Sequence, residues 1–209
     1  MHIPPIITKE FQQKLSYHDV LEILKDGNQR FLNNTQIIRN LEDQRKNLTS
    51  AQHPIAVILG CIDSRVPSEL IFDLGLGDVF NIRVAGNILN EDILGSIEFA
   101  CNVVGAKLIV VMGHSDCGAI KAACGHTRLG HISSIMEKIE PVIQQIEPKF
   151  NNVSNENIDF INEVTIQNTI HVKNQILEKS TIISEMVQNS EVGIVSAVYH
   201  LEHGKVVFE

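Results

Sequence analysis

Several features are missing from this chain of 209 residues, and each absence excludes a class of function. Tryptophan is absent, so no site here can use an indole N–H as a hydrogen-bond donor. No apolar run approaches the roughly 20 residues that a helix needs to cross a bilayer, so we expect no membrane partner. Basic residues are outnumbered, with 17 Lys and Arg against 25 Asp and Glu, and the net charge of -8 disfavours binding to nucleic acid.

Cysteine is sparse, and its context indicates a reducing compartment. The chain has four cysteines, and its first fifteen residues carry Lys9, Glu10 and Lys14 without a continuous apolar stretch. We therefore expect no secretory signal and a cytoplasmic protein. In that compartment thiols serve as metal ligands, nucleophiles or core residues rather than as disulfides.

Short apolar runs alternate with amphipathic segments along the chain. Ile55–Gly60 and Leu108–Gly113 are continuous and end in glycine, which is typical of parallel strands buried on both faces. Val79–Val84 and Gly193–Tyr199 are weaker strand candidates, and Lys205–Phe208 can return as a hairpin. Periodicity predicts helices at 16–33, 41–49, 92–104, 130–146 and 160–189. We therefore predict one α/β domain over residues 1–209, with a mostly parallel sheet.

The two strongest strands are each followed by side chains that bind metal. Cys61 follows the first strand, and His114 and Cys117 follow the second. Sites in such sheets form beyond the carboxyl ends of the strands, so these groups should converge. Two thiolates and one imidazole with an open fourth position suit a catalytic zinc ion. Cys101 and Cys124 are instead expected in the core, because one lies on an apolar helix face and the other is too far from Cys117 to share an ion.

Asp63 and Arg65 have two interpretations. Asp63 or Ser64 can cap a helix that has Pro67 in its first turn, which is a purely structural role. Alternatively, Arg65 can hold the Asp63 carboxylate in a fixed fork geometry beside the metal ligand Cys61. The carboxylate would then accept a hydrogen bond from a nucleophile and orient it.

These segments together resemble the β-class carbonic anhydrases. The motifs C-x-D-S-R at 61–65 and G-H-x-x-C-G at 113–118 agree with that family in sequence, order and spacing. The similarity also covers Gln52, Pro54 and the segments Asp78–Asn87, Gly95–Ala100 and Gly193–Val206. Residues 17–208 as a whole follow the family pattern.

The resemblance implies a zinc enzyme that reversibly hydrates carbon dioxide to bicarbonate and a proton. It implies that Cys61, His114 and Cys117 bind one Zn²⁺ per chain. A zinc-bound hydroxide would attack carbon dioxide while Asp63 and Arg65 orient it. The residues that the family pattern places around the carbon dioxide pocket are Gln52, Phe80, Ala85 and Gly118.

The resemblance also implies a fold and an assembly. The fold is a four-stranded parallel sheet with an added antiparallel strand, flanked by helices. A helical arm at 1–50 precedes the α/β core at 51–209. The helix at 16–33 carries an apolar stripe that includes Val20 and Leu24. Such a helix commonly docks on its own subunit, but the family pattern favours docking onto a second subunit across a two-fold axis. The implied assembly is a homodimer or a dimer of dimers.

Two positions depart from the family pattern. Phe99 stands where many relatives carry a tyrosine that is proposed to move protons. Ile58 stands where one subgroup carries the tryptophan of an inhibitory bicarbonate pocket, although Arg83 and Tyr199 match two other positions of that pocket. We therefore expect no cooperative inhibition by bicarbonate.

Two alternatives remain open at this point. Relatives with the same zinc site hydrolyse carbonyl sulfide or carbon disulfide, and the motifs do not separate these substrates from carbon dioxide. A structural or regulatory zinc module is the other possibility. Structural sites usually fill all four positions with protein ligands, whereas only three candidates converge here.

Overall fold

Five strands form one sheet within residues 3–209, the part of the chain described by a computed structural model. The strands are β1 (Ala56–Gly60), β2 (Val79–Arg83), β3 (Leu108–His114), β4 (Gly193–Tyr199) and β5 (Val206–Phe208). Their order is β2-β1-β3-β4-β5. The first four are parallel, and β5 pairs antiparallel with β4. The predicted fold class is therefore confirmed.

The central strands β1 and β3 are buried along their whole length, as their unbroken apolar sequences predict. Successive side chains point to opposite faces of the sheet. Ile58 and Val110 therefore pack on one face with the N-terminal helices, while Val57 and Ile109 pack on the other. Burial on both faces is why neither strand alternates between polar and apolar residues.

Helices surround the sheet. The α-helices are α1 (Lys9–Lys14), α2 (Tyr17–Leu32), α3 (Leu41–Asn47), α4 (Ser68–Ile71), α5 (Glu91–Glu98), α6 (Gly118–Cys124), α7 (Ile132–Ile146), α8 (Ile158–Lys179) and α9 (Thr181–Gln188). Short 3₁₀ turns occupy Ala85–Asn87 and Glu147–Lys149, and α5 continues as a π-helix over Phe99–Val104. None of the helices in residues 3–209 is both long and apolar enough to cross a membrane.

The helices differ from the periodicity in two ways. The segment predicted as helical over 160–189 is divided at Ser180, whose hydroxyl accepts the N–H of Ile183 and caps α9. The same hydroxyl donates to the Glu98 carboxylate at 2.6 Å, a contact across 82 positions that no local pattern shows. The short helix α1, capped by Thr8, is not predicted at all.

The apolar stripe of α2 is covered by its own chain. The helix begins with a capping box formed by Ser16 and Asp19. Val20 and Leu24 are completely buried in one cluster with Ile58 and Val110 of the sheet. The expectation that this stripe needs a second subunit to be buried is therefore wrong, because the sheet supplies the apolar surface.

Candidate metal centre

The carboxyl ends of β1 and β3 bring the three predicted metal ligands together. The two strands are direct neighbours, with Gly60 opposite Met112. Cys61 follows β1, His114 ends β3, and Cys117 is the residue from which α6 starts. The ligand atoms of these three residues all lie within 4.8 Å of one another, and all three residues are buried.

The donor set fits a single soft cation. The two sulfurs are 3.9 Å apart, close to the roughly 3.8 Å expected for two thiolates at tetrahedral angles on bonds of about 2.3 Å. His114 Nδ1 is 2.8 Å from the Ser115 carbonyl, which can only accept, so this nitrogen carries the proton. His114 Nε2 is buried without a hydrogen-bond partner. A neutral imidazole held in this way presents a free lone pair, as metal-ligating histidines do.

The two thiols of the cluster differ in acidity. The contact with Cys117 lowers the pKa of Cys61 although burial opposes it, and the neighbouring His114 and the backbone of Gly86 and Asp63 act in the same direction. The hydrogen bond with Cys61 raises the pKa of Cys117, and burial acts in the same direction. The cluster is therefore ready to release a proton and bind a cation.

The remaining cysteines behave as ordinary core residues. Burial raises the pKa of Cys101 to about 12 and that of Cys124 to about 11. Both thiols pack in apolar clusters and neither belongs to the metal-ligand group. The prediction that these two residues are core is confirmed.

Asp63 and Arg65 form a bidentate ion pair beside the cluster. Asp63 Oδ1 accepts from Arg65 Nε at 3.0 Å, and Oδ2 accepts from Nη2 at 2.8 Å. The Arg65 guanidinium holds the pKa of the Asp63 carboxyl well below its usual range. Oδ2 lies 3.9 Å from His114 Nε2, so the carboxylate stands next to the face where a metal would bind.

The alternative role of Asp63 as a helix cap is wrong for this structure. Helix α4 starts after Pro67, which is its cap and not part of its first turn. No side chain makes the capping hydrogen bond there. Asp63 Oδ1 instead accepts the backbone N–H of Arg65 at 2.9 Å, which closes a local turn and sets the carboxylate orientation.

Arg83 holds the backbone of the loop that carries Cys61 and Asp63. Its Nε donates to the Cys61 carbonyl at 2.9 Å and its Nη2 to the Asp63 carbonyl at 2.5 Å. The family resemblance suggested Arg83 only as part of an anion pocket. The structural role is the one that the hydrogen bonds show.

The four predicted pocket residues fall into two groups. Ala85 belongs to the turn after β2 and Gly118 opens α6 directly after Cys117, so both adjoin the cluster. Phe80 pairs with Val57, four residues before Cys61, which places it about 13 Å back along the sheet. Gln52 precedes β1 and lies further still towards the amino edge. One chain therefore does not bring Gln52 and Phe80 to the metal ligands.

Sequence reasoning missed one buried residue that bonds to the turn beside the centre. Asn168 of α8 donates to the carbonyl of Gly86, the residue whose N–H contributes to the low pKa of Cys61. No motif includes Asn168, and the two residues are 82 positions apart. No local signal in the sequence could have found this contact.

Comparisons with known proteins agree with this geometry. Residues 56–206 match the family model described as carbonic anhydrase. The chain is 36% identical over 190 residues to carbonic anhydrase 2 of Mycobacterium tuberculosis, covering 88% of each protein. The crystal structure of the β-carbonic anhydrase CafA of Aspergillus fumigatus superposes with a TM-score of 0.74 at 23% identity, over 80% of this chain and 81% of that one. A tetrameric β-carbonic anhydrase of Sordaria macrospora gives a TM-score of 0.72 at 22% identity, over 78% of this chain and 84% of that one.

Proposed function

Since this chain belongs to the β class of the carbonic anhydrase family, we propose that it reversibly hydrates carbon dioxide to bicarbonate and a proton at the cluster of Cys61, His114 and Cys117. The observation that carries this proposal is the cluster itself: three buried ligand atoms of the right softness, with an arginine-held carboxylate beside them. Carbon dioxide needs a strong nucleophile at neutral pH and little else.

One Zn²⁺ per chain would occupy the cluster, held by the two sulfurs and by His114 Nε2. When bound, the ion supplies Lewis acidity that makes a water molecule nucleophilic near neutral pH. The chain supplies the orientation of the ligands. The Ser115 carbonyl fixes the His114 tautomer, and Arg83 fixes the loop that carries Cys61.

Asp63 orients the nucleophile rather than removing its proton. A carboxylate whose pKa lies far below neutral is a poor proton acceptor, because the best general bases have pKa values near the working pH. It remains a strong hydrogen-bond acceptor, and Arg65 occupies one side of each oxygen. The remaining lone pair of Oδ2 is available to a water molecule beside His114.

A second copy of this chain would complete the carbon dioxide pocket. Ala85 and Gly118 adjoin the cluster in their own chain, whereas Gln52 and Phe80 do not. Phe80 instead lines a surface cavity of about 620 Å³ along the edge strand β2, together with Phe99, which is 53% exposed. We propose a homodimer, alone or doubled, in which this surface of each subunit closes the site of its partner.

The cellular setting follows from the thiols. All four cysteines are free, and function requires that Cys61 and Cys117 stay reduced. We propose that the protein works in the cytoplasm.

The experiment is a stopped-flow assay of carbon dioxide hydration on the purified protein, before and after removal of metal with a chelator. We expect activity in the untreated enzyme, its loss with the chelator and its return with one equivalent of zinc per chain. A protein that holds one zinc per chain but does not hydrate carbon dioxide would overturn the proposal in favour of a structural metal module.

A further inference from the structure

The proposed reaction releases a proton that none of the residues discussed above removes. The Arg65 guanidinium keeps the pKa of the Asp63 carboxyl well below its usual range, so Asp63 is a poor proton acceptor. Phe99, which replaces the tyrosine of many relatives, has no titratable group. The missing chemistry is a group that titrates near neutral pH, and histidine is the side chain with that property.

One surface cavity connects the ion pair of Asp63 and Arg65 with the turn between β4 and β5. The cavity has a volume of about 310 Å³, and both Arg65 and Glu202 line it. Its other charged lining residues are Asp116 and Lys121, which pair with each other. A cavity of this size has room for several water molecules, since each occupies about 30 Å³ in the liquid. The Glu202 carboxylate therefore borders the same space as the guanidinium that holds Asp63.

Hydrogen bonds fasten this turn to the loop of the metal cluster. The Ser115 hydroxyl donates to Glu202 Oε2 at 3.0 Å and accepts the N–H of Leu201 at 2.9 Å. Ser115 directly follows His114, and its own N–H donates to the Tyr199 carbonyl at 3.0 Å. Glu202 is therefore held beside the metal cluster, although its side chain is 63% exposed.

Two histidines continue from Glu202 towards the protein surface. His200 Nδ1 lies 4.0 Å from Glu202 Oε2, the same oxygen that accepts from Ser115. The rings of His200 and His203 stack with their centroids 5.0 Å apart. The His200 side chain is 36% exposed, and His203 is exposed. One imidazole therefore lies beside the carboxylate and the second lies in contact with solvent.

The surroundings of His200 favour a neutral imidazole at neutral pH. Burial lowers the pKa of His200, and the neighbouring His203 and Lys205 lower it further, while Glu202 opposes them. Helix α2 packs against the same hairpin with uncharged side chains, those of Asn28, Phe31 and Leu32. A neutral imidazole can accept a proton, and a carboxylate beside it stabilises the imidazolium that forms.

We propose that His200 is a proton-relay residue: it takes up the proton that hydration releases, after that proton has crossed the cavity past Glu202, and delivers it with His203 to a base in the solvent. An O–H bond of the attacking water breaks, and an N–H bond forms on the His200 ring. That N–H bond breaks when a buffer base takes the proton, so every turnover restores the neutral imidazole. Glu202 is the positioning residue, because its charge attracts the proton towards His200. This inference rests on the proposed function.

The test measures carbon dioxide hydration in dilute and in concentrated buffer for wild type, His200→Ala and the matched control His126→Ala. His126 is likewise a histidine beside a glutamate, 3.8 Å from Glu140, and its side chain is 58% exposed. In dilute buffer, kcat of His200→Ala should fall about tenfold, because only the buffer then removes the proton. Its kcat/KM should stay within about twofold of wild type, since proton delivery follows the conversion of carbon dioxide. The control should keep both constants.

Added imidazole supplies a second readout, because it is a small base that can replace the missing ring. It should restore kcat of His200→Ala to within about twofold of wild type and leave His126→Ala unchanged. If His200→Ala does not fold, His200→Gln takes its place, because glutamine is polar but does not titrate.

Proton NMR of the His200 ring supplies a readout that does not depend on activity. Glu202→Gln keeps an oxygen that can accept from Ser115 but removes the negative charge. The pKa of His200 should therefore fall in this variant, and its kcat in dilute buffer should fall about threefold.

An unchanged kcat of the His200 variant in dilute buffer, or a loss that imidazole does not restore, would overturn the inference. An equal loss in kcat/KM would also overturn it, since the substitution would then affect the chemical step. An unmoved pKa of His200 in Glu202→Gln would overturn the role of Glu202. These outcomes leave the proposed function intact, because wild type still hydrates carbon dioxide. A wild-type protein that is inactive at every buffer concentration would overturn the proposed function and this inference together.

Discussion

Asp63 and Asp73 are both held by arginine, in very different surroundings. Asp63 stands at the carboxyl edge of the sheet with its side chain 18% exposed, paired with an Arg65 side chain that is 50% exposed. Asp73 lies beneath the N-terminal helices with its side chain 2% exposed. Its oxygens accept from Arg30 Nε and Arg39 Nη1, both at 2.5 Å, and from the N–H of Ile37.

The comparison shows that burial decides what an aspartate–arginine pair does. Asp63 keeps one open side that faces His114, so its ion pair can orient a ligand. Asp73 is enclosed, and it joins the end of α4 to α2 and to the segment before α3. An exposed pair adds little to stability, whereas removing one partner of a buried pair leaves the other charge unpaired at high cost. We call the surroundings of Asp63 at the carboxyl edge of the sheet the reactive edge, and the surroundings of Asp73 beneath the N-terminal helices the structural layer. The following predictions test whether these two regions serve chemistry and stability separately.

The largest effect is expected at the reactive edge, for Cys61→Ser. Replacing one of two thiolates removes a ligand, so zinc should be lost and hydration activity should fall at least about a thousandfold, to the level of the metal-free protein. The control Cys124→Ser should keep both zinc and activity, because that thiol belongs to a core cluster. Elemental analysis beside the rate assay checks this, and a full zinc content in Cys61→Ser would contradict the ligand assignment.

The next effect concerns the structural layer, through Asp73→Asn. Asparagine tolerates the φ of 47° at this position but cannot carry the charge that two arginines face. We expect a loss of about 3 kcal/mol in the free energy of unfolding at neutral pH, measured by urea denaturation. The hydration rate of the folded variant should be unchanged. A variant as stable as wild type would contradict the structural role.

The same pair predicts a pH dependence of stability. Burial alone would raise the pKa of Asp73, but the hydrogen bonds from Arg30 and Arg39 outweigh it, and the net shift is downward. A lowered folded-state pKa adds stability above the unfolded value of about 3.9, and that stability is lost as the pH falls further. The stability difference between wild type and Asp73→Asn should therefore shrink from neutral pH to about pH 3. A constant difference would show that the charge of Asp73 is not the cause.

Asp63→Ala should give the opposite pattern to Asp73→Asn. Turnover should fall by about a hundredfold because the nucleophile loses its orientation, while zinc stays bound. The free energy of unfolding should change by less than about 1 kcal/mol, since the pair is partly exposed. Zinc content, hydration rate and urea denaturation are measured on one preparation. Loss of zinc together with activity would make Asp63 a metal ligand rather than an orienting group.

The smallest effect is expected from bicarbonate, which should not inhibit cooperatively. Ile58 is completely buried in the same apolar cluster as Tyr199 and offers no donor. Arg83, the remaining basic candidate for that pocket, already donates to the carbonyls of Cys61 and Asp63. Titration of the hydration rate with bicarbonate should give a simple product-inhibition curve. A sigmoidal curve would show that an anion pocket forms without an indole.

The sequence predicted the parts of the metal centre that depend on local order. Cys61, Asp63 and Arg65 lie within five residues, and His114 and Cys117 within four, each group next to an apolar run that is typical of a buried strand. Parallel strands then place both groups at one edge. The core assignment of Cys101 and Cys124 was equally local, because it depends on helix spacing from neighbouring residues.

The tertiary structure decided what depends on contacts between distant residues. The bond of Asn168 to Gly86 spans 82 positions, and the bonds of Arg83 to the metal-ligand loop span 20 and 22. Only the register of β1 with β2 shows that Phe80 lies back along the sheet from Cys61. Periodicity records which side chains are apolar but not which surface covers them, so the partner of the α2 stripe was predicted wrongly. Strand order and packing choose these neighbours, because the free energy of a buried contact depends on distance in space and not on separation along the chain.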